Sequence, residues 1–150
     1  MTSYVTSADG TRIAFNRLGR GAPLIVIGGI LCDRLKTGAL ADALSVHCSV
    51  INYDRRGRGN SGDSCSYAVT RDIEDLGALI AAAGGIASVY GHSSGAGLAL
   101  QAAASGLPID ANRRSPRSSR RSASLPTWSR SGAAIRGCSR WRRRWSTITR

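Results

Sequence analysis

Apolar residues fall along the chain in two patterns that alternate. Short unbroken runs, LIVI at 24–27 and the apolar part of SVINY at 49–53, are what strands buried on both faces require. Elsewhere apolar positions recur every three to four residues. The clearest such stretch is 68–83, where Val69, Ile73, Leu76, Ile80 and Ala83 share one helical face while Arg71, Glu74 and Asp75 point elsewhere. Gly84-Gly85 stops that helix. Two short strands are predicted at 3–7 and 12–17, joined by the turn Ala8-Asp9-Gly10, because Asp-Gly between strand-like runs favours a hairpin. A short helix is predicted over 38–44, a strand over 87–90 and a helix over 95–105. Buried strands alternating with amphipathic helices predict an α/β fold, a mostly parallel sheet with helices on both faces.

The last strand and helix are joined by Gly91-His92-Ser93-Ser94-Gly95. A G-x-S-x-G sequence between a strand and a helix predicts a tight bend with Ser93 at its tip. The flanking glycines Gly91 and Gly95 have a steric task, since Cβ atoms two positions either side of the tip would collide. A serine held this way exposes its hydroxyl beside the free N–H groups of the next helix, where an oxyanion could be received. The context favours a nucleophile elbow over a Gly-rich structural turn. In a parallel sheet, active sites form at the carboxyl ends of strands. Three segments obey that rule here: 28–33, 54–62 and the bend at Ser93.

Composition divides the chain. Up to Asp110 there are 9 Lys+Arg and 9 Asp+Glu, whereas 111–150 holds 12 Arg, no Lys and no acid, so the whole +12 net charge lies there. Trp128, Trp141 and Trp145 lie there as well. The expected organisation is therefore a globular 1–110 and an Arg/Ser-rich tail 111–150, which has too few aliphatic residues to offset its ordering entropy. Three readings of the tail stand: a nucleic-acid arm, a membrane-surface or partner-binding segment, and sequence read out of frame. The abrupt onset, with Arg in place of Lys, favours the last, and nucleic acid is not the expected partner. No apolar run reaches the roughly 18 residues of a membrane span, and no signal peptide is visible, so a cytoplasmic location without membrane contact is expected. Cys32, Cys48, Cys65 and Cys138 have no regular spacing, which points to reduced thiols rather than a disulfide framework or metal site. No cofactor is expected. Oligomeric state is open.

The segments LIVIGGI at 24–30, YDRRGRGNSG at 53–62 and YGHSSGAG at 90–97 resemble the α/β-hydrolase fold superfamily over about residues 3–108. The middle segment is similar to that family's D-x-R-G-x-G-x-S loop through Asp54, Arg56, Gly57, Gly59 and Ser61. The resemblance implies Ser93 as nucleophile, with the backbone N–H groups of Ser94 and Ile30 as oxyanion donors and Asp54, Arg56, Gly57 and Gly59 as a supporting loop. It implies a small-molecule ester or amide as substrate. Two departures matter. Gly28 stands where the family has a histidine, which a backbone donor can tolerate. In the family the acid and the histidine follow the serine, whereas here Asp110 is the single acid after Ser93 and no histidine follows it. His47 is expected at the opposite end of the sheet, and the side chain of His92 should leave the bend in another direction. Asp33 and Asp54 are read as acceptors for loop N–H groups, and Arg55, Arg56 and Arg58 as braces paired with acids. The expectation is a chain truncated after the elbow strand and helix, a serine hydrolase severely impaired as written. An open strand edge beside the elbow should then make it poorly soluble. The alternative is a non-enzymatic α/β scaffold whose basic tail binds nucleic acid.

Overall fold

Strands and helices follow one another in the order the apolar pattern predicts, with bounds shifted by one or two residues. A computed structural model describes residues 1–64 and 66–110. Cys65 and the whole segment 111–150, with Cys138, the three tryptophans and the expected Arg/Ser-rich tail, lie outside the described residues. β1 (Ser3–Thr6) and β2 (Arg12–Leu18) form the expected hairpin. Its turn is closed by a bond from Gly10 N–H to the Ser7 carbonyl at 2.9 Å, and the Asp9 carboxylate accepts from Thr11 N–H at 3.0 Å. Then come β3 (Pro23–Ile27), α1 (Gly38–Ser45), β4 (Ser49–Tyr53), α2 (Val69–Ala83), β5 (Ser88–Gly91) and α3 (Ser94–Ala104).

The sheet order is β1-β2-β4-β3-β5. β3 runs parallel to both β4 and β5, while β2 is antiparallel to β4. Ala87 makes one further parallel bridge, to Ile109. The two-residue strand period divides the core between faces. Ile25, Ile27, Ile51 and Tyr53 pack with Leu76, Leu79, Ile80, Leu98 and Ala102 of α2 and α3. Val26 and Val50 pack with Ala41 of α1, with Leu40 and Leu44 beside them. Helices thus cover both faces, and each fully buried aliphatic side chain contributes about 1.5–3 kcal/mol.

One expectation about α2 is corrected. Its inward surface is wider than the stripe read from the sequence and is rotated away from Val69, which is exposed. Leu79 is fully buried, and so are Asp72 and Asp75. Asp75 therefore does not point away from the core. Carboxylates survive there because each meets an arginine from the loop after β4. The helix ends at Gly84, whose φ of 112° lets Gly84 and Gly85 return their N–H groups to Ala81 and Ile80. Among the described residues no helix is long and apolar enough to cross a membrane. Ile86 and Leu100 remain exposed near β5 and on α3.

Candidate active site

From β3 the chain goes to β4 on one side of the sheet, and its next parallel strand, β5, lies on the other. This reversal makes the carboxyl end of β3 a topological switch point, where the loops after neighbouring strands part and leave a crevice. The loops after β3, β4 and β5 all open there.

The bend after β5 is tight. Ser93 has φ 54° and ψ −122°, the one positive φ on a non-glycine residue among those described. Such a conformation costs on the order of 1–3 kcal/mol and persists where the surroundings dictate it. They do so here. His92 N–H donates to the Ile27 carbonyl at 3.0 Å, while Gly95 and Ala96 donate back to the carbonyls of His92 and Ser93, each at 2.9 Å. A Cβ at Gly91 would strike the Gly95 carbonyl and Ala96 N, and one at Gly95 would strike the carbonyl oxygens of Ile27 and Gly28. Both glycines are thus required by backbone passing close to backbone.

Ser93 is exposed and lies against the β3 loop, since a Cβ built on Gly29 would stand 3.4 Å from that of Ser93. The N–H groups of Ser94, at the start of α3, and of Ile30, beside Gly29, donate to no backbone carbonyl among the described residues. These two N–H groups are therefore free of backbone acceptors, one next to Ser93 in the chain and one next to the Gly29 that Ser93 packs against.

Asp54 is buried at the end of β4 and acts as an acceptor. Its Oδ1 receives Arg34 N–H at 2.7 Å and its Oδ2 receives Asn60 N–H at 2.9 Å, with Arg34 Nη1 at 3.5 Å. Gly59, at φ 51°, passes so close to this carboxylate that a side chain would collide with it, and Gly57, at φ 71°, leaves little room beside Asp63. Ser61 donates to the Asp54 carbonyl at 2.6 Å and accepts from Ala14 N–H at 2.8 Å, tying the loop to β2. Asp33 accepts from Leu35 and Lys36 N–H at 3.1 and 3.0 Å.

The arginines divide by role. Arg56 grips Asp75 with Nε and Nη2 at 2.8 and 2.7 Å and reaches Asp9 at 2.9 Å. Arg55 grips Asp72 at 3.3 and 2.8 Å, and its Nη1 stands 3.4 Å from Ser94 Oγ. Tyr67 donates to the same Asp72 carboxylate at 3.0 Å. The Asp75 hydrogen bond is the main cause that holds the Arg56 guanidinium above its ordinary pKa. Asp9 is held below the usual carboxylate range, first by Arg56 and then by Thr11 N–H. Burial pushes the Tyr53 phenol above its ordinary value. Arg58 alone of the three forms no ion pair among the described residues and donates to the Gly29 carbonyl at 3.2 Å.

His47 is exposed in the turn before β4, at the amino end of the sheet and away from the crevice. The His92 ring sits against Gly29, with Nδ1 3.5 Å from the position of a built Cβ. Neither histidine is hydrogen-bonded to Ser93 among the described residues. No group of three or more His, Cys, Asp or Glu among them is placed to hold a metal ion.

Sequence reasoning missed Arg34, Thr37 and Asn52. Asn52 is buried under α1, receives Thr37 Oγ1 at 2.7 Å and donates to the Arg34 carbonyl at 2.8 Å. Arg34 in turn reaches Asn60 and Thr2 at 2.9 and 3.0 Å. These residues clamp the β3 loop to the β4 loop. The available signal was an asparagine inside the otherwise apolar run of β4.

Comparison with known proteins adds to this geometry. A family model described as the alpha/beta hydrolase family matches residues 27–148. An N-formylmaleamate deformylase of Pseudomonas putida strain KT2440 is 37% identical over 107 residues, 68% of this chain and 40% of that protein. The crystal structure of an alpha/beta hydrolase from Sphaerobacter thermophilus is 60% identical, with TM-score 0.70, over 71% of this chain and 42% of its own. An N-formylmaleamic acid deformylase structure from Pseudomonas putida S16 is 31% identical, with TM-score 0.65, over the same shares. The chain thus spans about two fifths of the length of the relatives it matches.

Proposed function

The chain belongs to the alpha/beta hydrolase family, and from that premise we propose that it carries the nucleophile and the oxyanion site of a serine hydrolase acting on a small ester or amide. The observation that carries this reading is the strained bend at Ser93, with the uncommitted N–H groups of Ser94 and Ile30 beside it. Strain of this kind on a non-glycine residue is retained where an exposed side chain has work to do. The similarity to N-formylmaleamate deformylases is consistent with acyl chemistry on a small molecule.

In the proposed step Ser93 Oγ attacks the carbonyl carbon of the substrate. The new C–O bond places negative charge on the carbonyl oxygen, which the Ser94 and Ile30 N–H groups receive. Collapse breaks the bond to the leaving group and leaves acyl-Ser93. The serine proton must pass to the leaving group, and a positioned base speeds that transfer by typically 10²–10⁴-fold. In this chain neither histidine is hydrogen-bonded to Ser93. Oxyanion donors and binding alone leave about 10³–10⁴-fold acceleration over water. This chain therefore acylates slowly and turns over very little. The braces are structural: Asp54 holds the β4 loop, and Arg55 and Arg56 anchor it to α2.

Incubation with 4-nitrophenyl acetate tests the proposal. Mass spectrometry is expected to find one acetyl group per chain, on Ser93, with nitrophenol release ending near one equivalent and absent from Ser93→Ala. Sustained turnover, or acetylation that survives Ser93→Ala, would overturn it.

A further inference from the structure

The loops after β3 and β4 enclose an open cavity of about 430 Å³, lined by Ile30, Leu31, Asp33, Lys36, Gly57, Arg58 and Gly59, next to the Gly29 on which Ser93 packs. The volume suits a small ligand. Its charge is uneven. Arg58 and Lys36 contribute two positive charges against the one carboxylate of Asp33, whose Oδ1 accepts the Leu35 and Lys36 N–H groups, so the lining keeps an excess of positive charge. Arg55 and Arg56 are each neutralised by a buried aspartate, but Arg58 is not. Arg58 is half-buried, and its Nη1 donates to the carbonyl of Gly29, the residue against which Ser93 packs. Lys36 Nζ reaches the Leu31 carbonyl at 3.4 Å. Arg58 is thus tied to a backbone carbonyl of the 28–33 loop, and the exposed Lys36 reaches a second carbonyl of the same loop.

A partly desolvated guanidinium with unused donors binds a carboxylate well, because its planar fork matches two oxygens. We propose that this cavity receives a free carboxylate on the acyl part of the substrate, gripped by Arg58 and assisted by Lys36, so that the substrate class is a half-acid: a small ester or amide that carries a second, ionised carboxyl group. The inference rests on the acyl-transfer reading for the place of the scissile bond. Its own content is the carboxylate site. Arg58 would orient the substrate, with its anionic end in the cavity and its carbonyl over Ser93.

The test compares succinamate with succinamide, a pair that differs only in carboxylate against carboxamide. Binding to the full chain is followed by the amide resonances of the 28–36 and 57–60 loops at low salt. Succinamate should bind at least about tenfold more tightly, the margin of one charge-assisted hydrogen bond. Arg58→Gln should abolish the preference, Arg58→Lys should keep part of it, and Lys36→Gln should reduce it. Equal affinity of the two ligands would overturn the inference. So would a preference unchanged in Arg58→Gln when that variant keeps native Asn60 and Gly62 resonances. Acetylation of Ser93 by 4-nitrophenyl acetate is scored separately. If it fails while the carboxylate preference holds, the nucleophile reading falls and the anion site is supported. If it succeeds without a preference, the anion site falls and the nucleophile reading stays.

Discussion

Arg56 and Asp75 form a two-pronged ion pair at 2.8 and 2.7 Å, with each side chain only 1% exposed, and it fastens the loop after β4 to the inner face of α2. Removing Asp75 leaves the buried Arg56 charge with Asp9 as its remaining carboxylate, and breaking a buried pair costs about 3–5 kcal/mol. Asp75→Ala should lose that amount in urea denaturation, a large fraction of a small domain's stability. Arg56→Met combined with Asp75→Leu should recover most of the loss, because an apolar pair of similar volume avoids the desolvation penalty. A double variant no more stable than Asp75→Ala would show that the pair has a role beyond neutralising buried charge.

Tyr53 is buried at the end of β4, and its hydroxyl finds no hydrogen-bond partner among the described residues. An unsatisfied buried hydroxyl costs about 1–3 kcal/mol. Tyr53→Phe should therefore match or exceed the parent chain in stability at pH 7, by up to about 1 kcal/mol once packing changes are counted. The pH dependence follows from the direction of the shift. Burial raises the folded-state pKa above the ordinary value of 10.0, so the unfolded chain ionises first. The stability linked to the neutral phenol is complete below pH 10 and falls by about 1.4 kcal/mol per pH unit above it. Alkaline denaturation of Tyr53→Phe should lack that loss, whereas Tyr53→Phe melting in parallel with the parent above pH 10 would contradict the assignment.

Asp9 works at the acid end. Its pKa is held low by Arg56, so its stabilising effect is present above the ordinary value of 3.8 and fades as pH falls below it. Asp9→Asn should be less stable than the parent at pH 7, with the gap closing in acid when both are followed by circular dichroism.

The backbone at Ser93 is strained for any residue with a Cβ. Ser93→Gly should raise the melting temperature, by the equivalent of about 1 kcal/mol, while removing all acylation. Gly95→Ala should do the reverse to the fold, since its methyl would meet the Ile27 and Gly28 carbonyls, and a loss of about 1–3 kcal/mol is expected. Stability gained on removing Ser93 would mark the bend as a place where folding energy is given up for chemistry.

Much of this was legible in the sequence because local rules governed it. The runs at 24–27 and 49–53 gave β3 and β4, since continuous apolar strands need cover on both sides. The bend at Ser93 was legible because Gly91 and Gly95 have no other reason to stand at that spacing. The inner face of α2 was not. Helical periodicity treats aspartate as an outward residue, and nothing local says that Asp72 and Asp75 will meet Arg55 and Arg56 from a loop about 17–19 positions earlier. The clamp through Arg34 and Asn52 was hidden for the same reason, since a buried polar residue is explained by its partners and these lie on different elements. That Arg58 forms no ion pair among the described residues emerges only once its neighbours' acids are assigned.

The most direct measurement is mapping of the site modified by a fluorophosphonate probe on the intact chain, by peptide mass spectrometry. The account predicts a slow, single adduct on the Ser93 hydroxyl, lost in Ser93→Ala and strongly reduced when Gly95→Ala disturbs the bend. An adduct on any other residue, or none after prolonged exposure of folded chain, would contradict it.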